Sequence, residues 1–398
     1  MSRILYFIGA GLTKALALPK RPVPAMFDFI STLADYIDDQ IILTTLAELE
    51  NSDPYPYAWV STVARSLAPQ LVGRNRTTDP DLLAAFAAAL KERPGESIED
   101  LLDRTGGAQS NMSSQGADDR FRYAIARVFT LIGWDLDLPP LVKFLSRQFE
   151  QPDDSHTFVS FNYDLALEGG IERATNGAID LTRLYGFPIS LQVTGDPPPS
   201  MDELGGGAFS GLPVIELQAR VTPGDCLVLK PHGSLNWLSP MRGHYDESKD
   251  DDLRKGRSVI LPLCEDGTLR YMPTTNLPPW VQPANEVPMT VQPVILTPRG
   301  AKKPDLAFLR TVRDQEEAAV LDADEVYILG WSIPRTDTDQ ECLIRSMVAK
   351  RSQPFRQVTV VNAFAGVDYY RRVADIFGVE QDTVRTYNAG FREFSETR

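Results

Sequence analysis

Cysteine is scarce in this chain, with three in 398 residues (Cys226, Cys264 and Cys342) and no two of them in a C-x-x-C pair. That spacing excludes a disulfide framework and a structural zinc ribbon, and no zinc is expected. Long hydrophobic runs are also missing. None approaches the roughly 20 apolar residues that cross a bilayer. The N-terminus MSRILYFIGAG lacks the charged, apolar and small-residue succession of a signal peptide, so a cytoplasmic chain without a membrane partner is expected. Basic residues are in deficit, 40 Lys and Arg against 54 Asp and Glu, for a net charge of −14. Non-specific nucleic-acid binding needs a basic surface to displace counterions, and none is expected here. A small dianion is not excluded, because main-chain N–H groups at a helix N-terminus supply positive potential whatever the net charge. Histidine is limited to His156, His232 and His244. None has a metal-ligand spacing to another His or Cys, so no metal site is expected.

What the chain does have is apolar periodicity. With 43% hydrophobic residues it can bury one large α/β core or two smaller ones. RILYFI (Arg3 to Ile8) reads as a buried strand, turned by GAGLTKAL toward a helix. Residues 26–150 read as a helical insertion after that first strand, with apolar residues at three- and four-residue spacing. HTFVSF is a second strand, followed by a helix in NYDLALEGGIERA. Residues 186–224 and 239–304 are irregular and rich in Pro and Gly, yet CLVLK, SVILPL and VQPVILT within or between them read as strands. The C-terminal third alternates: helix in DLAFLRTVRDQEEAAVL, strand in EVYILG, helix in DTDQECLIRSMVAKR, strand in QVTVVN, and a closing helix in GVDYYRRVADIFG stopped by Gly378. Strand alternating with helix predicts a Rossmann-like parallel sheet covered by helices on both faces.

Polar residues gather where those strands end. RILYFI runs into Gly9-Ala10-Gly11, HTFVSF into Asn162-Tyr163-Asp164, CLVLK into His232-Gly233-Ser234, EVYIL into Gly330-Trp331-Ser332, and QVTVV into Asn362. In an open α/β sheet the carboxyl edge is where ligands bind, so the fold would bring these stretches to one rim. Each also has a plainer reading. Gly-x-Gly suits a tight turn, Asn162 and Asp164 suit helix capping, His232 suits a hydrogen-bonded structural role, and Ser332 and Asn362 suit loops. The Gly-x-Gly lacks a third glycine at dinucleotide-fold spacing, which disfavours ordinary dehydrogenase binding.

Taken in order, the motifs resemble those of a sirtuin-like NAD-consuming domain, of the divergent bacterial type found in anti-phage defence. GAGLT matches Gly-Ala-Gly-x-Ser with Thr13 in the serine position. FNYD matches the central Asn-x-Asp, KPHGSLNW the histidine before glycine, GWSIPRTDTD the later Gly-x-Ser, and VTVVN the final strand ending in asparagine. Protein-deacylating members carry a four-cysteine zinc ribbon, which this chain lacks, and a Gly-Ile-Pro-x-Phe-Arg loop, for which ALALPKRPVPAMFDF is a loose substitute. The resemblance therefore implies an NAD site more than a peptide groove.

What the resemblance implies is an NAD glycohydrolase that takes NAD as substrate and releases nicotinamide and ADP-ribose. Cleavage builds positive charge on the ribose while nicotinamide departs neutral, so no general acid is required. An imidazole with a reference pKa of about 6.5 suits His232 as the base for a ribose hydroxyl or water. A carboxamide cannot ionise but can direct a water, which suits Asn162. Asp164 would accept from the nicotinamide amide. Gly9, Ala10, Gly11 and Thr13 would receive the pyrophosphate. Gly330, Ser332 and Asn362 would contact phosphate or the adenine-side ribose. The resemblance further implies restraint by homo-oligomerisation or by a partner such as an ATPase translocase, with the helical block after Met26 as an assembly surface. An NAD-dependent protein deacylase and a non-catalytic NAD or ADP-ribose sensor are the alternatives.

Overall fold

A computed structural model describes residues 2–18, 23, 136–179, 184–185, 190–191, 226–240, 259–260, 291–296, 307–334 and 337–397. Six parallel strands form the main sheet: β1 (Arg3–Ile8), β2 (Ser155–Ser160), β4 (Cys226–Leu229), β8 (Glu325–Leu329), β9 (Gln357–Val361) and β10 (Val384–Tyr387). Their spatial order is β10-β9-β8-β1-β2-β4. Strands β2 and β4 thus extend one way from β1, and β8, β9 and β10, from later in the chain, extend the other way. This is the doubly wound Rossmann-like order, with its topological switch point between β1 and β8.

The apolar runs are continuous rather than alternating because both faces of the sheet are buried. Tyr6, in register with Phe158 and Tyr327, stacks on both at centroid distances of 4.3 and 5.3 Å. Its neighbour Phe7 points to the other face, where it meets Trp331 and Phe377. Helices α1 (Ala10–Leu16), α2 (Pro139–Gln148), α3 (Ala166–Ala174) and α7 (Phe391–Thr397) pack together in the first layer, where Phe144 lies edge-on to Tyr6. Helices α4 (Ala307–Asp322), α5 (Thr338–Val348) and α6 (Val367–Phe377) pack in succession and supply Phe377 to the second. Gly378 ends α6 with φ 60°, a left-handed stop that suits a residue without Cβ.

A smaller sheet lies beside the first, in the order β3 (Ser190–Leu191), β6 (Val259–Ile260), β5 (Gly233–Pro240), β7 (Val291–Ile295). Strand β5 begins directly after His232, and the Leu296 N–H donates to the His232 carbonyl at 2.8 Å. The second sheet therefore starts at the candidate base. Of the expected helical insertion over 26–150, the helix Pro139–Gln148 is described, and residues 26–135 lie outside the described residues. Most of the two irregular excursions does so too. Among the described residues no helix is long and apolar enough to cross a membrane.

Candidate functional site

At the carboxyl ends of β1 and β2 the sequence-predicted residues meet. Asn162 follows β2 by two residues, and its Nδ2 donates to the Gly9 carbonyl at 3.0 Å and to Thr13 Oγ1 at 2.9 Å. Thr13 in turn donates to Asp164 Oδ2 at 2.7 Å. The other oxygen of Asp164 accepts the Ala166 N–H at 3.0 Å, so this carboxylate also caps α3. The capping expectation for Asp164 is met by that bond, and the same carboxylate holds the Thr13 hydroxyl. Because the Gly9 carbonyl can only accept, the orientation of the Asn162 amide is fixed. Both amide hydrogens are then engaged. What Asn162 offers a ligand is Oδ1, an acceptor able to take a hydrogen from water or a sugar hydroxyl.

His232 lies on the neighbouring strand end. Strands β2 and β4 run parallel in register as far as Val159 opposite Leu229, and the two turns that follow carry Asn162 and His232. The imidazole is buried, tilted against Phe161 with centroids 5.3 Å apart, and Phe161 packs against Trp331 at 4.8 Å. A row of rings therefore runs along the rim from β8 to β4. Tyr163 fastens the second sheet to it, donating its hydroxyl to the Leu296 carbonyl at 2.6 Å.

The glycines are explained by backbone packing. Gly330 has φ 63°, and a Cβ there would lie 2.2 Å from the Leu12 nitrogen. A Cβ on Gly9 would lie 2.5 Å from the Trp331 Cα, and one on Gly11 would lie 2.6 Å from the Gly330 carbonyl oxygen. The turns after β1 and β8 are thus interlocked. The Gly11 N–H donates to Gly330 O at 2.9 Å and the Leu12 N–H to Gly9 O at 3.0 Å. These two amides are engaged within the protein, so an anion at the start of α1 would draw on other donors. Ala10 opens that helix.

The remaining predicted residues sit along the second half of the rim. Ser332 is exposed in the turn after β8. Ile333 beside it has φ 51°, rare for a β-branched residue, and is held there by burial and by Arg372, which donates to its carbonyl at 2.8 Å. Asn362 closes a turn after β9, its Oδ1 accepting the Phe364 N–H at 3.1 Å. Tyr369 joins the two turns, donating to the Trp331 carbonyl beside Asn362. Among the described residues, no hydrogen bond joins Ser332 or Asn362 directly to the Asn162 network. The structure brings together Gly9, Thr13, Asn162 and Asp164 by hydrogen bonds and His232 through Phe161.

Neither a family model nor a curated protein matches the chain. A solved structure concerned with the mechanism and regulation of Sir2 enzymes is similar to it at a TM-score of 0.35 and 11% identity, over 99% of this chain and 90% of that one. Likeness of that degree bears on neither site nor activity. No group of three or more His, Cys, Asp or Glu side chains that could hold a metal occurs among the described residues.

Sequence reasoning missed Lys230 and Glu168. Both side chains are fully buried, and Lys230 Nζ lies 2.9 Å from Glu168 Oε1. Two signals were available. A lysine closing an apolar strand has to find a buried partner, and Glu168 is a carboxylate within the helix expected in NYDLALEGGIERA.

Proposed function

We propose that this protein is an NAD glycohydrolase, cleaving the bond between nicotinamide and ribose to give nicotinamide and ADP-ribose. The observation that carries the reading is the placement of Asn162 and His232 on the ends of two adjacent parallel strands, with Thr13 and Asp164 fixing the asparagine. The electron pair of the breaking C–N bond leaves with nicotinamide, and a water oxygen bonds to the ribose carbon. Asn162 Oδ1 orients that water by accepting one hydrogen, and the imidazole of His232 takes the proton released. Gly9, Ala10, Gly11 and Thr13 border the phosphate region. The engagement of the Gly11 and Leu12 amides, and of the Thr13 hydroxyl hydrogen with Asp164, favours the Ala10 amide for that contact.

The sequence resemblance, rather than the geometry, supports the wider reading of an NAD-depleting anti-phage effector restrained by homo-oligomerisation or by an ATPase translocase. The deciding experiment is a time course of NAD and its products with the full-length protein, and with any neighbouring gene product. The parent is expected to release nicotinamide, and Asn162→Ala and His232→Ala to lose at least about 100-fold in kcat while keeping the fold. A folded parent that binds NAD without turnover would instead be a sensor. Formation of O-acyl-ADP-ribose only with an acylated peptide would make it a deacylase.

A further inference from the structure

We propose that Lys230 is a positioning residue, fixing the turn that carries His232 to the turn that carries Asn162. Its consequence for turnover rests on the glycohydrolase reading, whereas its consequence for the histidine does not. The β2–β4 ladder ends at Val159 opposite Leu229, and beyond it the two chains part. Lys230 spans the gap. Its Nζ lies 2.5 Å from the Asp164 carbonyl oxygen and 3.4 Å from that of Tyr163, and its third partner is Glu168. Its own carbonyl accepts the Gly233 N–H at 2.9 Å, closing the turn around His232. One residue thus shapes the histidine turn with its main chain and grips the asparagine turn with its side chain. From Asp164 the connection continues through Thr13 to Asn162.

Stability alone does not explain the arrangement. A fully buried ion pair is often no better than two apolar side chains of the same volume, because desolvation offsets the attraction. Glu168 is itself incompletely satisfied, since Oε1 serves both Lys230 and Tyr185 while the buried Oε2 has no hydrogen-bond partner among the described residues. What an apolar residue at 230 cannot do is donate to two main-chain carbonyls in the Asn162 turn. Misplacement of a reacting group by about 1 Å can lower a rate about 100-fold.

The test uses the full chain with Lys230→Met and Glu168→Gln combined, which removes both charges and keeps their volumes. Folding is checked by circular dichroism, and kcat and KM are measured for nicotinamide release. The imidazole is followed by histidine-labelled NMR, which is uncrowded because the chain has three histidines; the His232 signal is assigned by its absence from His232→Asn. The expected result is kcat down about 100-fold, KM within about threefold, and a shifted His232 ring resonance. Tyr185→Phe, which disturbs the same buried cluster but leaves the lysine–carbonyl bonds, keeps kcat within about twofold. A folded double variant with unchanged kcat and an unchanged His232 resonance overturns the proposal. If the parent releases no nicotinamide, the glycohydrolase reading fails and the resonance alone decides the positioning role. Should the double variant not fold, Lys230→Met with Glu168→Leu replaces it; failure of both to fold also overturns the proposal, since the pair then holds the fold rather than the site.

Discussion

At Thr13 a single hydroxyl serves two partners, accepting from Asn162 and donating to Asp164. Thr13→Val keeps the shape and removes both bonds, leaving a buried N–H and a buried carboxylate oxygen each short of a partner. The expected loss is about 1–3 kcal/mol of stability, read by denaturant unfolding, together with a fall in kcat as the carboxamide loses one of its two anchors. Thr13→Ser restores the hydroxyl and with it most of the activity. A valine variant with parental kcat would show that the Gly9 carbonyl alone orients Asn162. At this scale the sequence was informative where polar residues close apolar runs. Asn162, Asp164 and His232 stand directly after apolar runs, and the structure puts them at neighbouring strand ends. Lys230 was not legible in the same way, because its role depends on carbonyls 66 and 67 residues away in the chain. Sequence spacing carries no trace of such a contact.

Helices α4 and α5 meet through Glu316 and Gln340, both buried, and the Gln340 amide donates to the Glu316 carboxyl. Burial pushes the Glu316 pKa from 4.5 up to about 7, against the opposing pull of Arg313 and of that hydrogen bond. The folded protein therefore keeps the proton up to about pH 7, whereas the unfolded chain releases it near 4.5. The stabilising contribution is fully present below 4.5 and is lost as pH rises through about 7. Glu316→Gln has no proton to lose, so its stability relative to the parent should rise over that interval, by on the order of 2–3 kcal/mol at pH 8. Urea unfolding at a series of pH values measures the difference, and parallel profiles would contradict it. The helix of DLAFLRTVRDQEEAAVL and its neighbours in the C-terminal third were legible because their apolar periods are long. Strand β10 and helix α7 were not. Val384–Tyr387 is four residues with two side chains exposed, and Phe391–Thr397 is two turns of helix, too little for a periodic pattern to emerge. Strand β5 was hidden because GSLNWLSP opens like a polar turn.

Across the whole molecule, the C-terminal helix fastens the end of the chain to its beginning. β10 is an edge strand of the second half-sheet, yet α7 after it packs on α1 and α2 of the first. Phe391 and Phe394 lie against Phe144, and Arg392 donates to the Ala15 carbonyl and pairs with Asp137. Phe394→Ala is expected to cost about 3–5 kcal/mol, because the ring is 1% exposed and the surrounding aromatic cluster cannot collapse into the space. Thermal unfolding measures it, and a shift under about 2 °C would mean that α7 adds little to the core. The parallel α/β class was legible from alternating elements. The order of the strands was not, because it depends on which crossover returns to which edge of β1. The interlocked turns at the switch point have a consequence of their own for how such a chain can change. Residue 330 cannot acquire a side chain while residues 11 and 12 stay where they are, nor can residue 9 or 11 while the 330 turn leans on them. Positions more than three hundred residues apart are thus held as one unit, and because the obstructing atoms are mainly those of the opposite main chain, no side chain fits at any of the three while the two turns keep their places.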